Sequence, residues 1–162
     1  MKELVEHFRW AVEDRAIWKS FWAGDSARTE SQVQDLFHLS ILHTCKIYDV
    51  DVTPEANAGP GPVDFKFSAG WSKRALVELK FAKSSSFWDN LEKQTPAYLK
   101  ADDIECGYFL VVQHSENHCD KAFTDKVTKT IARVARDSGR SYEVIFVDAR
   151  KKPSASKLKR NP

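Results

Sequence analysis

The sequence is poor in cysteine, has no long apolar run and carries almost no net charge, and each shortage narrows what it can do. Its 162 residues include three cysteines, Cys45, Cys106 and Cys119. An odd number with no C-x-x-C spacing argues against a disulfide framework or a four-cysteine zinc site, and for a reducing, cytoplasmic setting. The apolar runs are a handful of residues long, too short for a bilayer. The opening stretch MKELVEHFRW is charged from its second residue and lacks an apolar h-region, so neither a membrane span nor a secretory signal is expected. Internal repeats are absent, and the only low-complexity stretch is the end of the chain.

The shortage of net charge is the most informative. With 25 basic and 23 acidic side chains the balance is +2, whereas a nucleic-acid binder is usually plainly basic. That average hides an asymmetry. Residues 150–162 (RKKPSASKLKRNP) hold six of the basic groups and no acid, which leaves the body at −4. What matters is therefore where the body acids sit. The length and the 42% hydrophobic content suit one domain with a real core. We expect that domain to span 1–149, followed by a flexible basic tail over 150–162.

Periodicity gives the order of elements. Residues 2–22 read as a helix through Leu4, Val5, Phe8, Val12, Ile17, Trp18, Phe21 and Trp22, stopped by Gly24. A second helix over about 28–44 carries the stripe Val33, Leu36, Phe37, Ser40, Ile41. Three strands follow, Ile47–Thr53, Val63–Ser68 and Arg74–Ala82, divided by Pro54–Pro62 and by Ala69-Gly70. Phe87–Ala101 returns to helical spacing, Gly107–Gln113 suits a buried strand, residues 119–137 form a helix ended by Ser138-Gly139, and Glu143–Asp148 is a last strand. The order α-α-β-β-β-α-β-α-β predicts an α/β fold, a mixed sheet with helices on both faces.

Chemistry enters at RALVELKFA. Along a strand Val77, Leu79 and Phe81 face one way, and Glu78 and Lys80 the other. On the preceding strand Val63, Phe65 and Phe67 oppose Asp64, Lys66 and Ser68, so a meander would bring Asp64 and Glu78 together. Two carboxylates in a semi-buried site repel unless a cation joins them. Mg²⁺ answers that need because it takes carboxylate and carbonyl oxygens and keeps waters for chemistry. Lys80 would then orient or help deprotonate the attacking water. Taken alone, acid-x-lysine is equally a cross-strand ion pair on a wet face. Three features add to it. Pro60-Gly61-Pro62 braces the approach to Asp64. Glu30 precedes Val33 by three and Phe37 by seven, on the inward side of its helix, although a helix N-terminus also favours an acid for its dipole. Gln94 and Tyr98 are i,i+4 neighbours in line with Leu91 and Phe87.

Glu30, then Asp64, then Glu78-x-Lys80 in an apolar strand, then Gln94-x-x-x-Tyr98 on the next helix resembles the PD-(D/E)XK nuclease superfamily, and Gln-x-x-x-Tyr resembles its RecB-like branch. The resemblance covers about residues 28–113 and implies a restriction-endonuclease-like mixed sheet flanked by helices. It further implies a Mg²⁺- or Mn²⁺-dependent nuclease, acting on DNA, with Asp64, Glu78, the Leu79 carbonyl and Glu30 around the metal. Lys80 would act on the attacking water, and Gln94 and Tyr98 would position the nucleic-acid backbone or the lysine. One departure is that Asp64 follows Pro62-Val63 rather than a proline directly.

Lys73, Arg74, Lys83, Lys93 and Lys100 flank these motifs and are candidate phosphate contacts, or simply solvated lysines and an arginine. Trp10, Trp18, Phe21 and Trp22 fit core packing better than a stacking surface. His114, His118 and Cys119 lack a second ligand pair for zinc, and Ser84-Ser85-Ser86 reads as a loop and helix cap. The alternatives to an active nuclease are a non-catalytic nucleic-acid-binding or protein-interaction module on the same fold, or a homodimeric junction-resolving nuclease.

Overall fold

A computed structural model describes residues 1–59 and 61–153. Pro60, the first residue of the expected brace, and the tail beyond Pro153 lie outside the described residues. The chain opens with α1 (Lys2–Asp14), a 3₁₀ turn (Ile17–Phe21), the two-residue strands β1 (Trp22–Ala23) and β2 (Ser26–Ala27), and α2 (Glu30–Ile47). Strands β3 (Asp51–Asn57), β4 (Pro62–Ser68) and β5 (Arg74–Phe81) follow. A helical segment comprises α3 (Phe87–Asp89), a π-turn (Asn90–Gln94) and α4 (Thr95–Ala101); β6 (Cys106–Gln113), α5 (Glu116–Cys119), α6 (Lys121–Ser138) and β7 (Ser141–Asp148) complete the chain.

The five long strands form one mixed sheet in the order β3-β4-β5-β6-β7. Short connections make β3, β4 and β5 antiparallel, while helical crossovers make β5, β6 and β7 parallel. The expected α/β architecture is what forms. Against one face pack α1 and α2, with Val5, Phe8 and Val12 from the first and Val33, Phe37 and Ile41 from the second. Against the other pack the α3–α4 segment and α6, through Phe87, Leu91, Leu99, Val127 and Ile131. Strands β5 and β6 are thus covered on both sides, and β6 is buried from Gly107 to Gln113.

Several elements differ from the periodicity. The first helix stops at Asp14 rather than Trp22, because Ala16 turns into the left-handed region at φ 60° and the chain tightens into a 3₁₀ turn. Phe21 still reaches the core against Phe8, and the Trp22 indole N–H donates to the Ala149 carbonyl at 2.8 Å. Tertiary contacts, not helical spacing, collect these aromatics. Helix α2 runs on through Ile47, which therefore leaves the expected strand, and Pro54 lies inside β3. Proline is tolerated there because β3 is a sheet edge. The helix over Phe87–Ala101 forms but widens into the π-turn, where Thr95 N–H donates to the Asn90 carbonyl. Pro96 has no N–H to give and its ring crowds the preceding turn, so a wider turn just ahead accommodates it. Finally, extended backbone at Asp120 splits the expected 119–137 helix; the Asp120 carboxylate caps α6 by accepting from Phe123 N–H at 2.7 Å. Arg150, Lys151 and Lys152, expected at the start of a free tail, are tied to the body through Asp148, Asp25 and the Glu13 carbonyl.

Candidate active site

The β4–β5 ladder starts at Ser68–Arg74 and ends at Phe65–Val77. Beyond that point side chains replace the missing ladder bonds. Asp64 N–H donates to Glu78 Oε2 at 3.3 Å, and Leu79 N–H donates to Asp64 Oδ2 at 2.8 Å. Two residues further along β5, Phe81 N–H donates to Glu30 Oε2 at 2.9 Å. Residues 79 and 81 present their backbone groups to the same strand edge, so the Leu79 carbonyl lies on the edge that the carboxylates cap. The splayed end of two strands and the N-terminus of α2 thus meet at one place. Helix α2 is fixed there by a capping box, in which Thr29 Oγ1 accepts from Gln32 N–H and Gln32 Oε1 from Thr29 N–H.

Lys80 stands at the centre. Its Nζ is 2.9 Å from Glu30 Oε1, 3.3 Å from Glu78 Oε1 and 3.5 Å from Asp64 Oδ2, with the lysine side chain only 12% exposed. Three carboxylates therefore share one ammonium. Burial, then the neighbouring Asp64 charge, raise Glu78 to about 7. Asp64 is raised as well, by burial against the opposing pull of Lys80. Burial opposes the charge on Lys80, but Glu78, Asp64 and Glu30 outweigh it and hold its pKa above the ordinary lysine value. With the three carboxylates around it, Lys80 is held as an ammonium.

Tyr98 completes one wall. It is buried, and the charges of Glu78, Lys80 and Asp64 all act on it. A Cβ added to Gly61 would lie 3.3 Å from its hydroxyl, so the lack of a side chain at Gly61 leaves room for the tyrosine tip beside the approach to Asp64. Gln94 sits half-buried at the end of the π-turn, and none of the cluster's hydrogen bonds involves it. Of the six expected catalytic residues, Lys80 contacts Glu30, Asp64 and Glu78, Tyr98 adjoins them, and Gln94 is one helical turn away.

The expected phosphate contacts do not gather round this cluster. Lys73 and Arg74 lie at the opposite end of β5, about 20 Å from Lys80 at the usual rise per strand residue. Lys100 lines a cleft with Glu92, Arg133 and Arg140 on the outer side of α4. Lys93 is exposed and paired with Asp89 at 2.6 Å. Lys83 alone follows the site directly, its Nζ 5.8 Å from the Phe81 ring. Lys66, on the same strand face as Asp64, is ion-paired with Asp102.

Other residues at the site were not among the expected ones. Gln34, one turn beyond Glu30, exerts a hydrogen-bonding pull on Asp64 and lines a cleft with His38, Glu55 and Asp64. The i,i+4 spacing from Glu30 was a usable signal for it. Glu55 takes a left-handed φ of 48°, and its β3 neighbours Pro54 and Ala56 pair with Phe65 and Val63, which places that strained residue opposite Asp64. Behind Glu78, the buried hydroxyls of Thr95 and Tyr142 face each other, and neither makes a conventional hydrogen bond. No local pattern announces Tyr142, which arrives from β7.

The histidine–cysteine group is divided among separate contacts. His114 packs against Phe81, Trp22 and Phe21, His118 contacts Ser115 Oγ at 2.8 Å, and burial pushes the Cys119 thiol up to about 11. Among the described residues no three histidine, cysteine or acidic side chains are disposed around an open metal position. In the carboxylate cluster the shared position is taken by the Lys80 ammonium. No helix among the described residues is long and apolar enough to cross a membrane.

Comparison with known proteins adds one result. Residues 1–116 match the family described as a domain of unknown function, DUF8371. The chain belongs to that family. No curated protein and no solved structure matches it. The DUF8371 match takes in α1 through β6 and every member of the carboxylate–lysine cluster, and ends before α6 and β7.

Proposed function

We propose that this DUF8371 protein is a divalent-metal-dependent nuclease that hydrolyses phosphodiester bonds of DNA. The observation that carries the reading is the cluster at the splayed end of β4 and β5, where Glu30, Asp64 and Glu78 surround Lys80 at 2.9 to 3.5 Å. Three acids and one base leave an excess of negative charge in a partly dehydrated place, an arrangement that stability alone does not favour. The donor set is carboxylate and carbonyl oxygen with no imidazole or thiolate, which suits Mg²⁺ or Mn²⁺. Asp64, Glu78 and the Leu79 carbonyl would hold the ion, with Glu30 at its rim, once the ammonium draws aside. When bound, such an ion supplies positive charge for the phosphoryl oxygens and makes water a better nucleophile.

The chain's own groups account for the rest. Asp64 and Glu78 are locked by backbone N–H donors, which fixes their free oxygens without needing the ion. Lys80, within 3.5 Å of all three carboxylates, would orient the attacking water or help deprotonate it, and would offset charge on the phosphate. Tyr98, buried on α4 beside the cluster, would limit access from that side.

The direct test is cleavage of linear, circular and single-stranded DNA in Mg²⁺, Mn²⁺ or EDTA. Cutting is expected only with metal and is expected to vanish in Glu78→Ala and Lys80→Ala proteins that still fold. If both variants cut as well as the parent, the reading is wrong. Salt-sensitive binding without cutting in either metal points instead to a non-catalytic nucleic-acid-binding module.

A further inference from the structure

The hairpin between β4 and β5 does something the carboxylate cluster does not require. Its turn is tied by Ala69 N–H to the Lys73 carbonyl at 2.9 Å and by Ser68 Oγ to the Gly70 carbonyl at 2.9 Å. Gly70 takes φ 80°, which carries the chain round the tip at a position where a side chain would be strained. The result is that Trp71 stands 84% exposed, more than any other large apolar side chain among the described residues. Its ring is not loose. The Arg74 guanidinium lies 4.4 Å over one face and is itself anchored by donating to the Asp103 carbonyl at 3.2 Å. The other face is open.

Lys73 and Arg74, beside this ring, contact no carboxylate among the described residues. Many other basic side chains there, Arg15, Lys19, Arg28 and Lys46 among them, likewise contact none; what sets these two apart is the exposed aromatic face next to them. Below them is a cleft of about 610 Å³ floored by Val50, Phe67, Ile104 and Cys106. Two acids also line it, Asp103, which pairs with Arg140 at 3.1 Å, and Glu105. A rigid aromatic face beside two uncompensated cations suits a ligand that is flat on one part and anionic on the next, as each nucleotide of an unpaired strand is.

We propose that the β4–β5 hairpin is a second nucleic-acid contact, which stacks one unpaired base on Trp71 and meets its flanking phosphates with Lys73 and Arg74. This rests on the nuclease reading and refines it by naming the substrate class. The hairpin lies about 20 Å from Lys80 along β5, the length of about six base pairs of duplex. A substrate with a single-stranded or branched segment at that distance from the cut engages both places, whereas a blunt duplex offers no base to the tryptophan.

The test uses the full chain and fluorescein-labelled DNA of three kinds: single-stranded, blunt duplex, and duplex with a single-stranded overhang. Binding is measured by anisotropy in EDTA and in Ca²⁺, beside Trp71→Ala, Trp71→Phe and a Lys73→Ala/Arg74→Ala double variant. Trp71→Ala is expected to weaken single-strand and overhang binding by about 5- to 100-fold and blunt-duplex binding hardly at all. Trp71→Phe should recover most of the loss, and the double variant should flatten the salt dependence. Melting curves of the Trp71 variants should match the parent, because that side chain is in solvent, and circular dichroism should show the double variant folded. Equal binding by Trp71→Ala and the parent, or an equal loss on blunt duplex, overturns the proposal. The two readings fail separately. A chain that cuts nothing in any metal but loses single-strand binding with Trp71 keeps the hairpin contact and loses the nuclease; a chain that cuts normally but is indifferent to Trp71 does the reverse.

Discussion

Replacing Lys80 with methionine keeps most of the side-chain volume and removes the only ammonium among three carboxylates. Breaking a buried ion group by deleting one partner costs about 3–5 kcal/mol, because the remaining charges are left uncompensated. Here the cost is capped by proton uptake. Glu78 already stands at about 7 in the parent, against an ordinary value of 4.5, through burial and the Asp64 charge. A carboxylate raised in the folded state gives up stability as pH rises from about 4.5 through 7, since the unfolded chain releases its proton first. Lys80 opposes that rise, so without it Glu78 moves higher still and the loss extends to higher pH. The expected penalty is therefore small near pH 6 and about 2–4 kcal/mol at pH 8. For a chain of this size that lowers Tm by about 5–15 °C. Millimolar Mg²⁺ or Ca²⁺ should restore most of the loss at pH 8 and should shift the variant more than the parent, in which the ammonium competes for the same oxygens. Differential scanning fluorimetry at pH 6 and pH 8, with and without metal, reads all of this. A variant that melts within 1 °C of the parent at pH 8, or that ignores both metals, would refute the idea of a charge excess held together by Lys80.

Three further outcomes follow from the packing. Burial, with help from Lys83 and His118, lowers His114 to about 4, so the ring is held neutral and stability is lost as pH falls from about 6.5 toward 4. Discounted for its partial exposure this amounts to about 2 kcal/mol; His114→Phe should abolish that slope in acid denaturation, and an unchanged slope contradicts it. Tyr142→Phe removes a buried hydroxyl that makes no conventional hydrogen bond and should leave stability unchanged or raise it by up to about 1 kcal/mol in urea unfolding, whereas a measurable loss would show that the hydroxyl bonds Thr95. In Gly107→Ala the added Cβ would meet Leu99 Cδ1 at 2.9 Å and Tyr142 Cδ2 at 3.3 Å, where β6 closes on α4. The expected cost is about 1–2 kcal/mol, partly recovered by a second change, Leu99→Val.

How much of this could be read from the residues depends on the kind of neighbour involved. Glu78 and Lys80 share a face because strand alternation is strict, and Asp64 meets them because a short hairpin enforces antiparallel pairing. Glu30 was visible because it precedes the apolar stripe of α2 at helical intervals. The phosphate contacts fared differently. Lys73 and Arg74 are near Glu78 in the chain, but an extended strand converts that short separation into the full height of the sheet. Tyr142 reaches the back of Glu78 through a parallel pairing set by two crossovers, and no local period records such a contact. The first helix looked longer than it is because Phe21 and Trp22 satisfy a helical stripe and the sheet equally well, and backbone geometry at Ala16 decided between them. The π-turn has its trace in Pro96, yet a proline alone does not say whether a helix will end, kink or widen.

Nuclease activity at this cluster is decided by incubating closed circular DNA with the parent protein and with Glu78→Gln, each in Mg²⁺, in Mn²⁺ and in EDTA, and reading nicked and linear products on a gel. Nicking or linearisation by the parent in metal alone, absent in EDTA and absent in a Glu78→Gln protein with the parent's circular dichroism, is the predicted result. Intact circles in every metal, or equal cutting by the variant, would contradict it.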